Sequence, residues 1–483
     1  MAATALLIRS LGMVFRVFLA GALGSEGMGL YQLVLSIYVV FAAVSSSGIS
    51  LCTTRLFSDS AAKGAAGQGR FFTEKSLVLS FFIGGTSCIV MLALSEPLSR
   101  YVLHDIRCAP ALRILALSLP FMSASACIRG YFCARRKTLV PSGEQLLEQV
   151  LETGVFAVLF LSFRPLSLSD ACCMTVAGTT AAEAASFVYA VLCYRCDIKK
   201  TGVTAVRTKG FFRNAMPILL PVSANALMRS GLSAAENALI PRGLQKYGMS
   251  ENEALSRYGI ISGMTLPMLV FPSVMIMPFA LLIIPEIAEL NARSSRSSVR
   301  RITEKMLSSA LNYSIPETVI FIFFSTHIGE LFFHNHEAGR LLGLLAPVVP
   351  FMYLDSVVDG ILKGLNEQTS YFVFNTIDSV VRVMLTLVLL PFAGIAGVVA
   401  VIIISELLNT MLSLFRLLKI TEFRLMLFRD ILLPAAAASA ACIAARAVPV
   451  FLGGITDTVI RLALCVFLCI IFLLSAKSIR PAF

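Results

Sequence analysis

The sequence predicts an all-α integral membrane protein of about fourteen transmembrane helices. They are expected to form two six-helix, pseudo-symmetric lobes plus two C-terminal helices. Three observations predict this. Spans long enough to cross a bilayer recur along all 483 residues, which are 57% hydrophobic and 14% charged, with a mean hydropathy of +0.84. A soluble domain carries about 25% charged residues. Lys and Arg cluster after every second span, and part of the chain repeats itself 230 residues later.

The apolar cores, in order, are 4–23, 31–52, 76–95, 110–130, 144–162, 171–193, 214–232, 260–285, 306–325, 339–360, 370–390, 393–415, 431–448 and 457–477. The first two are joined by a short Gly-rich turn, so the chain opens on a hairpin and no cleavable signal is expected. Basic residues follow the even-numbered spans: Arg55 to Lys75, Arg135 to Lys137, Arg195 to Arg213 (Lys209 among them), Arg293 to Lys305, and Arg416 to Arg429. The opposite loops are poor in Lys and Arg, which puts both termini in the cytoplasm. The net charge of +12 therefore reads as orientation in a membrane, not as nucleic-acid binding. The longest outer connection, residues 236–258, is rich in Gly, Glu and Asn and reads as a mobile loop. The 12 cysteines lie mostly within apolar spans and read as small buried side chains. The lone Cys193-x-x-Cys196 has no second pair or His cluster to make a metal site.

Two tripeptides and two single residues share one offset. Thr73-Glu74-Lys75 recurs as Thr303-Glu304-Lys305, His104 as His334, Pro120-Phe121-Met122 as Pro350-Phe351-Met352, and Gly130 as Gly360. An even number of spans separates the copies, so the repeat is parallel. This divides the chain into an N-lobe (1–200), a C-lobe (201–420) and a C-terminal helix pair (421–483). Two lobes with a site between them is the architecture of an alternating-access transporter.

Charged residues inside apolar spans are costly and mark functional candidates. Arg9 and Arg16 are two helical turns apart on one face of the first helix, Arg55 ends the second, and Arg229 lies in the seventh. Each either faces a cavity or snorkels to its nearest surface, or, for Arg55, anchors the inner end. As a set they suit an anion, and a guanidinium binds phosphate bidentately at any pH. The fifth helix carries Glu144, Glu148 and Glu152, four apart, as one acidic stripe. Their counterparts at the 230 offset are Phe374, Asp378 and Arg382. Glu148, Glu152, Asp378 and Arg382 are candidates for an inner gate, with Glu152 and Arg382 pairing across the lobes, or for ion coupling. Glu144 reads as solvated at the interface. Asp355 and Asp359 are also four apart; they bind a coupling cation or pair with Lys363. Glu183 and Glu406 are isolated membrane carboxylates.

No GxxxxGK[ST] loop, HExxH, GxSxG or clustered His/Cys site is present, so neither an enzyme nor ATP hydrolysis by this chain is expected. His327, His334 and His336 fall in a short outer loop. No cofactor or metal is expected.

The stretches LIRSLGMVFRVFLAGALGSEGMGLYQL, SGISLCTTRLFSD, IRGYFCARRKTLVPSGEQLLEQVLE and IPEIAEL resemble the stage V sporulation protein B family. That family sits in the polysaccharide transporter branch of the multidrug/oligosaccharidyl-lipid/polysaccharide (MOP) exporters, beside MurJ-type lipid II flippases. The resemblance implies a fourteen-helix flippase of the bacterial plasma membrane that moves an undecaprenyl-pyrophosphate-linked oligosaccharide by alternating access. It implies a pyrophosphate held by Arg9, Arg16 and Arg55, and more loosely by Arg229. Energy would come from a Na+ or H+ gradient or the membrane potential. The expected partners are the lipid-linked oligosaccharide, the bilayer and cell-wall synthases, with no nucleic acid. Two alternatives stand beside it: a cation-coupled multidrug or metabolite antiporter of the same superfamily, and a non-transporting membrane partner of cell-wall synthases.

Overall fold

A computed structural model of the chain describes residues 2–163, 165, 167–208, 210–293, 295–447 and 455–478. Lys209 and the last residue of the expected thirteenth span, Val448, lie outside them, as do 449–454 and 479–483 of the expected C-terminal pair. The described residues are mostly helical, with no strand among them.

Among the described residues sixteen α-helices follow one another: α1 (Ala2–Ala62), α2 (Ala66–Pro97), α3 (Cys108–Ala116), α4 (Leu119–Ala134), α5 (Leu139–Phe163), α6 (Leu168–Thr201), α7 (Phe211–Lys246), α8 (Glu251–Tyr258), α9 (Leu266–Val270), α10 (Met277–Ala292), α11 (Arg296–Phe333), α12 (His336–Leu345), α13 (Val349–Gly364), α14 (Gln368–Thr421), α15 (Leu433–Ala447) and α16 (Ile455–Ser478). A straight helix of the 61 residues of α1 would be about 90 Å long, three times the thickness of a bilayer core. It is instead two spans, broken at Gly24, whose φ of 69° and ψ of −176° only glycine adopts readily. Gly394 breaks α14 in the same way. Among the described residues, nine helices are long and apolar enough to cross a membrane. With α1 and α14 each counted as two spans, and α3 and α4 as one span bent by 44°, α7 and α16 complete the expected fourteen. α7 is less apolar than the others: Pro217, Pro221, Asn214, Asn225 and Arg229 interrupt its apolar stretch.

The chain divides into two compact units, Met1–Arg242 with Ser250–Gly259, and Gly243–Met249 with Ile260–Phe483. The first unit runs past residue 200, where the sequence places the lobe boundary. The reason is that α7 packs on α1: Phe211 and Ala215 join Cys52, Leu56 and Phe72 in one apolar cluster. The loop expected at 236–258 is corrected. α7 continues to Lys246 because Ala238, Ile240 and Leu244 are buried, and α8 buries Leu255 and Tyr258.

Small residues bring α1 and α4 together, as they do between membrane helices generally. Ser45, Ser123, Ala124 and Cys127 are fully buried there. Ser123 Oγ donates to the Ser45 carbonyl at 2.6 Å, and Thr54 Oγ1 to the Gly130 carbonyl at 2.9 Å. A Cβ on Gly130 would lie 2.4 Å from the Ser50 carbonyl oxygen, so only glycine fits this crossing. In the second unit Val357, Val358, Ile361 and Leu362 of α13 form the core with Ile287, Leu307 and Leu417.

The 230-residue register reaches beyond the shared tripeptides. α4 and α13 each have 16 residues and start 230 apart. His104 and His334 both adopt left-handed backbone, as do Arg136 and Asn366. Arg70 pairs with Glu74 at 2.8 Å, and Arg300 with Glu304 at 2.9 Å.

Candidate functional site

The acidic stripe of α5 is buried inside the first unit, where α4 and α6 supply its partners. Glu144 is 1% exposed, against the expectation of a solvated position, and accepts a hydrogen bond at 3.1 Å from Nη1 of Arg129 on α4. Arg129 also stands in the field of Glu148 and of Glu183 on α6. Glu183 is 6% exposed and faces Glu144, Glu148 and Glu152; its Oε2 has no hydrogen-bond partner among the described residues. Glu152 Oε1 accepts from Thr179 Oγ1 at 2.8 Å and feels Arg16 of α1. Tyr31 and Tyr38, both buried on the second span of α1, face the same group of charges; the Tyr38 hydroxyl shares a hydrogen bond of 2.8 Å with Ser118.

Four carboxylates and two guanidiniums thus share a space built from α1, α4, α5 and α6. Buried charge persists only where it is paired, and an excess of one sign is balanced by taking up an ion of the other. The chemistry available is reversible binding of a cation, a proton included. Among the described residues no three His, Cys, Asp or Glu side chains are arranged to hold a metal ion.

The second unit has a matching cluster. Arg382 donates from Nε to Ser405 Oγ at 2.9 Å and lies 3.3 Å from both Asp378 and Glu406. Ser405 in turn donates a short hydrogen bond to Asp378 Oδ1. Asp355 faces Asp359, Glu406, Asp378 and Lys363 across this group. Lys363 Nζ stacks 4.0 Å above the Tyr371 ring. Glu152 and Arg382 each have these partners inside their own unit.

Of the four arginines, Arg16 is half-buried and is brought to the acidic stripe, whereas Arg9, Arg55 and Arg229 are exposed. All four lie in the first unit. Sequence reasoning missed Arg129, although an arginine within the fourth span was a visible signal. It also missed Glu317 of α11, a buried carboxylate whose Oε1 accepts from the Tyr353 hydroxyl at 2.8 Å. It named Glu183 and Glu406 without partners, because Glu183 meets residues of α4 and α5, and Glu406 meets Arg382 from across the Gly394 break of α14.

Residues 1–231 match the family described as Polysaccharide biosynthesis protein. The chain is 23% identical over 422 residues to stage V sporulation protein B of Bacillus subtilis (strain 168), a match covering 85% of this chain and 80% of that protein. Among solved structures, a lipid II flippase MurJ in an inward closed conformation superposes with a TM-score of 0.75 at 14% identity, over 99% of both chains. An inward-facing MATE family transporter of the MOP superfamily superposes with a TM-score of 0.67 at 12% identity, over 87% of this chain and 99% of that one. The two solved structures are of a flippase and a transporter. The likeness carried by the sequence motifs is thereby shown: this multi-pass membrane chain resembles the polysaccharide biosynthesis and stage V sporulation B proteins in sequence and has the fold of the MurJ and MATE transporters.

Proposed function

We propose that the chain flips an undecaprenyl-pyrophosphate-linked oligosaccharide, lipid II or a related wall, cortex or polysaccharide precursor, across the bacterial plasma membrane by alternating access. The observation that carries this reading is that α1 threads Arg9, Arg16 and Arg55 through the first two spans of a chain with the MurJ fold. In this reading these arginines and Arg229 hold the pyrophosphate, whose oxygens match the guanidinium fork. The sugar rides in the water-filled path and the prenyl tail stays in lipid. The clusters around Glu148 and Glu152, and around Asp355, Asp359, Asp378 and Arg382, couple the cycle to a Na+ or H+ gradient and gate it. Both termini face the cytoplasm, where cell-wall synthases have access to them.

A second reading draws support from the four buried carboxylates of the first unit: a cation-coupled antiporter of drugs or metabolites, whose cationic cargo such a cluster suits. One experiment separates the two. A bacterium depleted of its lipid II flippase is complemented with the wild type, Arg16→Ala and Arg229→Ala. Rescue by the wild type, lost in Arg16→Ala at normal membrane abundance, supports the flippase. A well-expressed wild type that fails to rescue but lowers accumulation of a cationic dye supports the antiporter.

A further inference from the structure

At the ends of α1, α2, α4 and α6 where basic residues concentrate, the first unit contains a cavity of about 300 Å³. Phe57, Arg70, Tyr131, Arg135, Ile198 and Val203 line it. It shares no lining residue with the carboxylate cluster. Its walls are largely apolar: Phe57 and Tyr131 meet edge to face with centroids 5.0 Å apart. The segment after α6 closes one side and is tied down twice. The Val206 amide donates to the Gly67 carbonyl at 2.9 Å, and Arg70 Nη1 donates to the Val203 carbonyl at 2.5 Å.

Two cations, Arg70 and Arg135, line this cavity, and their carboxylate partners Glu74 and Asp197, with Lys137 on Asp197, stand outside its lining. Arg70 Nε donates to Glu74 at 2.8 Å. Lys137 reaches Asp197 Oδ1 at 2.5 Å, and Tyr131 donates to Asp197 Oδ2 at 2.8 Å. Arg135 lies over the Tyr131 ring, 5.7 Å from its centroid, and uses only Nη1 among the described residues, for Asp197 and for the Tyr131 hydroxyl. Its Nε and Nη2 remain as donors, as does Nη2 of Arg70. A mostly apolar cleft with a few convergent polar groups is the usual form of a small-molecule site, and 300 Å³ is the small end of the range. Unspent guanidinium donors select a phosphate oxygen, and the aromatic wall selects an apolar or flat body beside it.

We propose that this cavity binds a phosphate monoester carried on an apolar or aromatic body, at a site separate from the transported cargo. A lipid-linked oligosaccharide is too large for it. Two sources offer the chemistry, a soluble nucleoside monophosphate and the headgroup of phosphatidic acid.

The test uses the full chain in nanodiscs, with thermal unfolding read by a thiol-reactive dye on the buried cysteines Cys52, Cys88 and Cys127. One arm titrates adenosine 5′-monophosphate into discs of neutral lipid; the other compares neutral discs with discs containing phosphatidic acid. A saturable rise of the midpoint is expected in one arm, and the arm names the source. Arg135→Gln should weaken the response at least about tenfold. Ala134→Leu keeps every charge and fills the cavity that Ala134 lines, and should abolish the response. No rise in either arm overturns the proposal, and so does an undiminished rise in Ala134→Leu.

Discussion

Nη1 of Arg129 lies 3.1 Å from Oε1 of Glu144, and 230 residues further on the position of the arginine carries an acid and that of the glutamate a phenylalanine, Phe374. Asp359 of α13 stands at the register of Arg129, and Arg382 of α14 at that of Glu152. In the first unit the cation is on α4 and the acids are on α5. In the second, acids are on α13, and the cation, with Asp378, is on α14. The repeat inverts the charge at Arg129/Asp359 and Glu152/Arg382, keeps it at Glu148/Asp378 and replaces it with an aromatic ring at Glu144/Phe374.

The first prediction concerns that pair. Arg129→Met leaves Glu144 in a site that is 1% exposed with its cation gone. Removing one partner of a buried pair costs about 3 kcal/mol or more, whereas replacing both with apolar side chains of similar size is often neutral. Arg129→Met should therefore lower stability strongly, and adding Glu144→Leu should recover most of the loss. Reversible unfolding in mixed detergent micelles measures both. Additive losses in the double variant would mean that the two side chains do not act as a pair.

How much of this was legible in the sequence depends on which kind of neighbour is asked about. Neighbours along one helix follow from spacing, so the stripe of Glu144, Glu148 and Glu152 was readable before any fold was known. The register of 230 was readable too, because the αL caps at His104 and His334 and the Arg70–Glu74 and Arg300–Glu304 pairs are local features of each copy. Neighbours between helices were not. Nothing in spacing says that Arg129 meets Glu144, that Glu183 joins them from α6, or that Arg16 reaches Glu152. Glu144 was misread as solvated because it opens its span, and what buries it belongs to other helices: Arg129 of α4 pairs with it, and α6 packs along α5. The loop expected at 236–258 failed on composition: its Gly, Glu and Asn conceal the buried face of Ala238, Ile240, Leu244, Leu255 and Tyr258.

Glu367 predicts an acid sensitivity in the turn between α13 and α14. A hydrogen bond of 2.6 Å from Ser370 and the Arg416 guanidinium at 2.8 Å hold its carboxyl below the usual carboxylate range. A depressed folded-state pKa contributes stability above the unfolded value, about 4.3 for Glu, and that contribution is lost as pH falls through the folded value. Wild type should therefore be more stable than Glu367→Gln at pH 7, and the two should converge below about pH 4. Unfolding midpoints of both proteins across that range measure the difference; a gap that persists at low pH would assign it to hydrogen-bond geometry alone.

Gly130 should tolerate no side chain. An added methyl would meet the Ser50 backbone 2.4 Å away, so α1 and α4 would have to separate. Overpacking of this kind costs about 1–3 kcal/mol, with the higher end expected where backbone must move. Gly85 of α2 is the control, since a Cβ there meets nothing within 4 Å. Gly85→Ala should be neutral or gain up to about 1 kcal/mol of helix propensity. Parallel unfolding of Gly130→Ala and Gly85→Ala tests the contrast, and equal effects would remove α1–α4 contact as the cause.

Glu183 is the strongest candidate in the first unit for an ion that moves with the transport cycle. It is 6% exposed, faces three other carboxylates, and keeps Oε2 without a hydrogen-bond partner among the described residues. Glutamine keeps its size and removes its capacity to exchange a proton. Since Glu183→Gln also relieves like-charge repulsion, stability should hold or rise. Transport measured in proteoliposomes under an imposed pH gradient should then lose most of its response to that gradient, about tenfold or more, while binding of substrate persists. The pairing of retained stability with lost coupling is the signature sought. A structural role would move stability first, and a Glu183→Gln protein that follows the gradient like the wild type would transfer the coupling role to another group, with Asp355 and Asp359 of the second unit the next to substitute.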